Sequence, residues 1–193
     1  NLLSRPALEE KIGLNLGRKN LLVTFHPSTL ESDDPSRQFK STLEALEIYS
    51  EANILFTKTN ADTNGRIINQ MIDEFVEVNR ERSVAHTSLG QLIYLSALKH
   101  VDGVVGNSSS GISEVPFFGI RTLNIGDRQC GRFMVSSILN CPVSKTRIIK
   151  SINKILREKF NSKIKNELKK FGNGQAADEI SRKLSFFNFN KYQ

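Results

Sequence analysis

The sequence predicts an α/β fold, a parallel sheet with helices on both faces, and three observations carry that expectation. Short β-branched or aromatic runs alternate with segments of helical periodicity along most of the chain. Polar residues of the kinds that bind and react follow five consecutive runs, as ligand-binding loops do at one edge of an open parallel sheet. The 193 residues, 38% hydrophobic and 24% charged, suffice for one well-buried domain.

Each element has its own justification. The chain enters a helix-like segment at once, then LLVTFH (Leu21 to His26) forms a first strand bounded by Pro27. Ser36 to Glu51 is helical, because Phe39, Leu43, Leu46 and Tyr49 recur at three- and four-residue spacing. NILFTKT (Asn53 to Thr59) is a second strand, and Gly65 to Asn79 a helix with Ile68, Met71, Ile72 and Phe75 on one face. SVAHT (Ser83 to Thr87) is a short third strand; Leu89 to His100 is a helix with Leu92, Leu95 and Leu98 spaced for burial. DGVVG (Asp102 to Gly106) is a fourth strand, and SSGISEVPFF reads as a short helix despite Pro116. RTLNIG (Arg121 to Gly126) and SSILN (Ser136 to Asn140) complete the strands. Two helices close the chain: one opened by Ser144 as N-cap, the other in QAADEISRKLSFF after the Gly172-Asn173-Gly174 break.

Composition excludes several classes. The longest apolar runs are far shorter than the roughly twenty residues of a membrane span. The N-terminal NLLSRPALEEK lacks the basic-then-apolar pattern of a signal peptide. Cys130 and Cys141 are too few for a disulfide framework and lack zinc-binding spacing, so a cytoplasmic setting is expected. No cofactor and no metal are expected. The net charge of +7 is uneven: Lys145 to Gln193 holds 13 basic against 4 acidic residues, whereas Asn1 to Ser144 holds 14 against 16. In KSINKILREKFNSKIKNELKK Lys alternates with Ile and Leu at helical spacing and Phe160 is the one aromatic, too few to interleave as single-strand readers require, so it reads as a solvated helix face. Neither nucleic acid nor membrane is an expected partner.

The chemistry clusters after the strands. His26 follows the first; Asn60, Asp62, Asn64 and Gly65 the second; His86, Thr87 and Ser88 the third. Asn107, Ser108, Ser109, Ser110 and Gly111 follow the fourth, and Asp127, Arg128, Gln129 and Arg132 the fifth. In VVGNSSSG, glycine and serine between a strand and a helix start suit an anion, which helix N-termini and serine hydroxyls bind. Serines also simply cap helices. No Lys follows the glycines, so this is not a Walker A loop. Glu114 suits a pair of sugar hydroxyls, Arg128 and Arg132 suit phosphate oxygens, and His26 titrates near neutrality as an acid/base group does. His86 is placed like His26, and His100 looks like a helix C-terminal cap.

The block Gly106 to Arg132, GNSSSGISEVPFFGIRTLNIGDRQCGR, resembles the signature of hydrolysing UDP-N-acetylglucosamine 2-epimerases of the bacterial sialic acid type. Supporting matches are VTFHP at Val23 to Pro27, TNADTNG at Thr59 to Gly65 and the His86 segment; the likeness runs from about Asn20 to Ser144, with an echo in FGNGQAADEI. It implies a GT-B arrangement of two Rossmann-like domains. Residues 1–193 would be the C-terminal, nucleotide-sugar-binding domain, with basic helices over 145–193 packed on it. The start at Asn1 rather than Met leads to the expectation of an N-terminal domain in the same protein, and a homo-oligomer is expected of the whole.

By that resemblance Ser108 and Ser109, with Asn107 and Gly111 in the same turn, would hold the diphosphate and Glu114 the ribose. Arg128 and His26 would serve catalysis beside the phosphates, and Asn60 and the His86 loop would frame the uracil side. Leu89 stands where the family often has an aromatic near the base. The implied reaction removes the sugar C2 proton, expels UDP and adds water to give N-acetylmannosamine. Its proton-moving carboxylates belong mostly to the other domain, so the isolated chain is expected to have no turnover. A sibling epimerase acting on a diacetamido-trideoxyhexose nucleotide, a GT-B glycosyltransferase (against which NIGDRQ argues) and a flavodoxin-like nucleotide-sensing module are the alternatives.

Overall fold

The computed structural model describes residues 1–27, 34–60, 63–157 and 164–187. Six strands form one wholly parallel sheet: β1 (Lys19–Thr24), β2 (Ala52–Thr57), β3 (Ser83–His86), β4 (Gly103–Gly106), β5 (Arg121–Ile125) and β6 (Ile138–Cys141), in the order β3-β2-β1-β4-β5-β6. This is the doubly wound Rossmann order, and it bears out the α/β expectation.

Helices cover both faces. They are α1 (Arg5–Ile12), α2 (Pro35–Glu47), α3 (Thr63–Val78), α4 (Gly90–His100), α5 (Ser110–Ser113), α6 (Lys145–Arg157), α7 (Ile164–Leu168) and α8 (Ala176–Ser185). The period of two along β1 decides which face each residue serves. Leu21, Val23 and Phe25 enter one core with Phe39 and Leu46 of α2, Ile68 and Ile72 of α3, and Ile148, Ile152 and Ile155 of α6. Leu22 turns to the other face and packs with Leu8 and Ile12 of α1 and Ala97 and Leu98 of α4. Burying a side chain of this size contributes about 1.5–3 kcal/mol, so both layers are tightly specified.

Local chemistry sets the ends. Asp34 caps α2 by accepting from Ser36 N at 2.9 Å, with Pro35 at the first helical position. These Ser36 hydrogen bonds hold the Asp34 carboxyl below its ordinary range. α6 closes its first turn on the Ser144 carbonyl, which accepts from Ile148 N at 2.8 Å.

Three expectations are corrected. The helix after β4 is one α-turn, Ser110–Ser113, followed by a 3-10 turn over Val115–Phe118, because Pro116 cannot continue the α ladder. Leu92 is 48% exposed, since α4 turns the Ser96-Ala97-Leu98 side inward. α8 buries none of its residues, unlike α6. His100 does end α4, but its Nε2 lies 3.2 Å from the Leu3 carbonyl and ties down the N-terminal segment. Among the described residues no helix is long and apolar enough to cross a membrane.

Candidate functional site

The site begins where the sheet changes direction. The chain leaving β1 turns towards β2, the chain leaving β4 turns towards β5, and a crevice opens between the two carboxyl ends. At that point Gly106 has φ +139°, and a Cβ there would lie 1.8 Å from the Thr24 carbonyl oxygen. Only glycine lets β4 pass so close to β1.

The next residue locks the two ends together. Asn107 is 2% exposed, and its amide pairs with the His26 backbone: His26 N–H donates to Oδ1 at 2.7 Å and Nδ2 donates to the His26 carbonyl at 2.8 Å. The Asn107 carbonyl accepts from Arg128 Nη1 at 3.1 Å and Gln129 Nε2 at 2.8 Å. The His26 ring is steered from the other side, with Nδ1 2.8 Å from Thr59 Oγ1. Thr59 is itself held by Asn69 of α3, which accepts from Thr59 N at 2.9 Å and donates to Thr59 O at 3.0 Å.

Beside this network lies a cleft of about 340 Å³ whose lining includes His26, Ser108, Ser110, Glu114, Tyr94 and Lys58. Ser108 and Ser109 carry backbone N–H groups that make no hydrogen bond among the described residues, two unpaired donors at the start of the short helix. Ser110 is held by a hydrogen bond between its hydroxyl and that of Tyr94. Burial pushes the Tyr94 phenol up to about 12, so it stays protonated. Lys58 pairs with Asp73 of α3 at 2.6 Å. The lining thus offers a hydroxyl-and-amide anion cradle, an imidazole, an ammonium and one carboxylate suited to hydroxyl groups.

The sequence-predicted residues distribute unevenly. His26, Ser108 and Glu114 line the cleft, with Asn107 and Arg128 joined to them through the network. Ser109 sits half-buried in the turn itself, outside the cleft lining. Gly111 is buried against Thr122, whose hydroxyl donates to its carbonyl at 2.6 Å; a Cβ there would meet Thr122 Cγ2 at 2.7 Å. His86 turns away, its Nε2 2.9 Å from the Ile12 carbonyl. Asn60 is exposed outside the cleft, Asp62 lies outside the described residues, and Arg132 lines a separate cleft at β5 and β6.

Sequence reasoning missed Tyr94, Lys58 and Asn69. A phenol inside the apolar LIYLSAL was a usable signal, because a buried hydroxyl needs a partner. Nothing local marks Lys58 or Asn69. Among the described residues no cluster of His, Cys, Asp and Glu could hold a metal ion.

The family model described as UDP-N-acetylglucosamine 2-epimerase matches residues 2–185. The GDP/UDP-N,N'-diacetylbacillosamine 2-epimerase (hydrolyzing) of Campylobacter jejuni is 37% identical over 75% of this chain and 38% of its own length. Polysialic acid biosynthesis protein P7 of Escherichia coli is 35% identical over 86% of this chain and 42% of its own. The chain therefore spans about two fifths of the curated relatives it matches. The structure of Methanocaldococcus jannaschii UDP-GlcNAc 2-epimerase in complex with UDP-GlcNAc and UDP superposes with a TM-score of 0.68 at 17% identity, covering 94% of this chain and 49% of that one. That likeness is one of fold, the fold of GT-B 2-epimerases over about half their length.

Proposed function

This chain belongs to the UDP-N-acetylglucosamine 2-epimerase family, and on that premise we propose that it supplies the UDP-binding half of a hydrolysing epimerase that converts UDP-N-acetylglucosamine and water to N-acetylmannosamine and UDP. The observation that carries the reading is the convergence of Ser108, Glu114 and His26 on one cleft at the β1–β4 crossing.

In this reading the free N–H groups of Ser108 and Ser109 and the Ser108 hydroxyl take the diphosphate, and Glu114 accepts from the ribose hydroxyls. Loss of the C2 proton and breakage of the C1–O bond leave a glycal and UDP. Negative charge grows on the leaving phosphate, where donors that tighten in the transition state accelerate departure. His26 and Arg128 stand beside that oxygen to stabilise it. Water then adds at C1 while C2 is reprotonated from the other face. The groups that move the C2 proton belong to an N-terminal domain of the same protein, so the chain alone binds UDP without turnover. Helix α6 completes the nucleotide-binding domain, and the whole works as a homo-oligomer in the cytoplasm.

A second reading changes only the sugar. The Campylobacter relative is named for a diacetylbacillosamine nucleotide, and the same leaving-group contacts serve a diacetamido-trideoxyhexose. Release of UDP from each nucleotide sugar by the full-length protein separates the two. Release from neither overturns both, and turnover by the isolated chain overturns the division of labour.

A further inference from the structure

We propose that Asn107 is a positioning residue, which fixes His26 and Arg128 in register across the crevice and does not itself hold the nucleotide. The kinetic part of this inference rests on the reading above; the geometric part stands on the hydrogen bonds alone.

The amide of Asn107 is engaged at both its oxygen and its nitrogen. Its Oδ1 accepts from His26 N–H at 2.7 Å and its Nδ2 donates to the His26 carbonyl at 2.8 Å, a two-point pairing that fixes both position and rotation of the peptide carrying the imidazole. At 2% exposure it lies behind the cleft lining. Its carbonyl is equally occupied, taking Arg128 Nη1 and Gln129 Nε2 from the loop after β5. Three segments that end three different strands are thus referred to one residue. The loop after β5 is otherwise exposed at Asp127 and Arg128, and among the described residues the Gln129 Oε1 has no partner, so the donation from Gln129 Nε2 to Asn107 is the bond that orients this buried amide. An exposed guanidinium anchored at one nitrogen keeps a defined place at little cost in rotamer freedom. A shift of about 1 Å in either group would be felt in the rate as a loss of order 100-fold.

A buried Asn that merely stabilises its loop would behave differently. Its loss would lower the melting temperature and leave the turnover of folded protein unchanged.

The test uses the full-length protein bearing Asn107→Ala, assayed well below its melting temperature, with the ring 1H–15N signals of His26 read in parallel. The inference expects kcat to fall at least tenfold with KM within about threefold, and the His26 tautomer balance to move while His86 and His100 stay fixed. If Asn107→Ala does not fold, Gln129→Met carries the test, with an expected threefold or greater fall in kcat/KM and a displaced His26 signal. Unchanged kcat and unchanged His26 signals in the folded variant overturn the inference. A wild-type protein inactive on both nucleotide sugars would remove the functional reading instead, and the His26 signals would still decide the positioning role.

Discussion

Two clefts open on the same edge of the sheet, and the larger one is not the better site. The cleft at β5 and β6 measures about 460 Å³ and is lined by residues including Asn124, Arg132, Asn140 and Cys141. The one at β1 and β4 measures about 340 Å³. In the larger cleft the side-chain hydrogen bonds include Asn124 Nδ2 donating to Asn140 Oδ1 at 2.8 Å and Cys141 Sγ donating to the Pro142 carbonyl at 3.3 Å. In the smaller, Thr59 and Asn107 brace His26 and Tyr94 braces Ser110, while Asn69, Arg128 and Gln129 hold those braces from behind. Braced groups need no reorganisation when charge develops, and space alone provides no such advantage. The difference also follows from topology, since only the smaller cleft lies where neighbouring loops diverge.

Breaking the crossing itself should have the largest effect. Gly106→Ala forces a positive φ on a residue with a Cβ and drives that Cβ into the Thr24 carbonyl. A loss of at least about 3 kcal/mol is expected by denaturant unfolding, with both clefts lost together. Next comes removal of the ligand groups alone: Ser108→Ala with Glu114→Ala should weaken UDP roughly 100-fold by calorimetry, about 2.7 kcal/mol for contacts to a charged ligand. Stability should hardly change, because Glu114 is exposed.

Tyr94→Phe should act more gently. It removes the hydroxyl that orients Ser110, costing UDP binding about 0.5–1.5 kcal/mol. It also changes the alkaline limb of stability. The folded phenol ionises at about 12, whereas the unfolded one does so near 10. Between those values the unfolded state sheds a proton that the folded state keeps, so stability falls with pH by about 1.4 kcal/mol per unit. Melting temperatures from pH 9 to 12 should decline less steeply in Tyr94→Phe. Tyr49, raised by its own burial, keeps part of the decline. The smallest effect is expected of Arg132→Ala in the larger cleft, with UDP affinity within about twofold of wild type.

What the sequence disclosed follows the same division. Strand positions and buried helix faces were legible because periodicity is a local signal: Phe39, Leu43, Leu46 and Tyr49 recur on one face and all are buried. The turn GNSSS was legible as the link between a strand and a short helix, because an apolar run ends there in glycine and serine. The destinations of single side chains were not. His86 and His26 both follow strands, yet His86 spends its ring on Ile12 because α1 packs beneath it, an arrangement that arises 74 residues away in sequence. Tyr94 and Ser110 meet through tertiary packing of α4 on the β4 end, across 16 residues. Leu92 matched the apolar spacing of its helix but lies beyond the stripe that the sheet covers.

The most direct test of the central assignment is a titration of the chain with UDP followed by backbone 1H–15N spectra. Resonances of His26, Ser108 to Ser110, Glu114 and Tyr94 should move, while Asn140 and Cys141 stay in place. Movement confined to residues around Asn124, Arg132, Asn140 and Cys141 would contradict the assignment and transfer the nucleotide to the larger cleft.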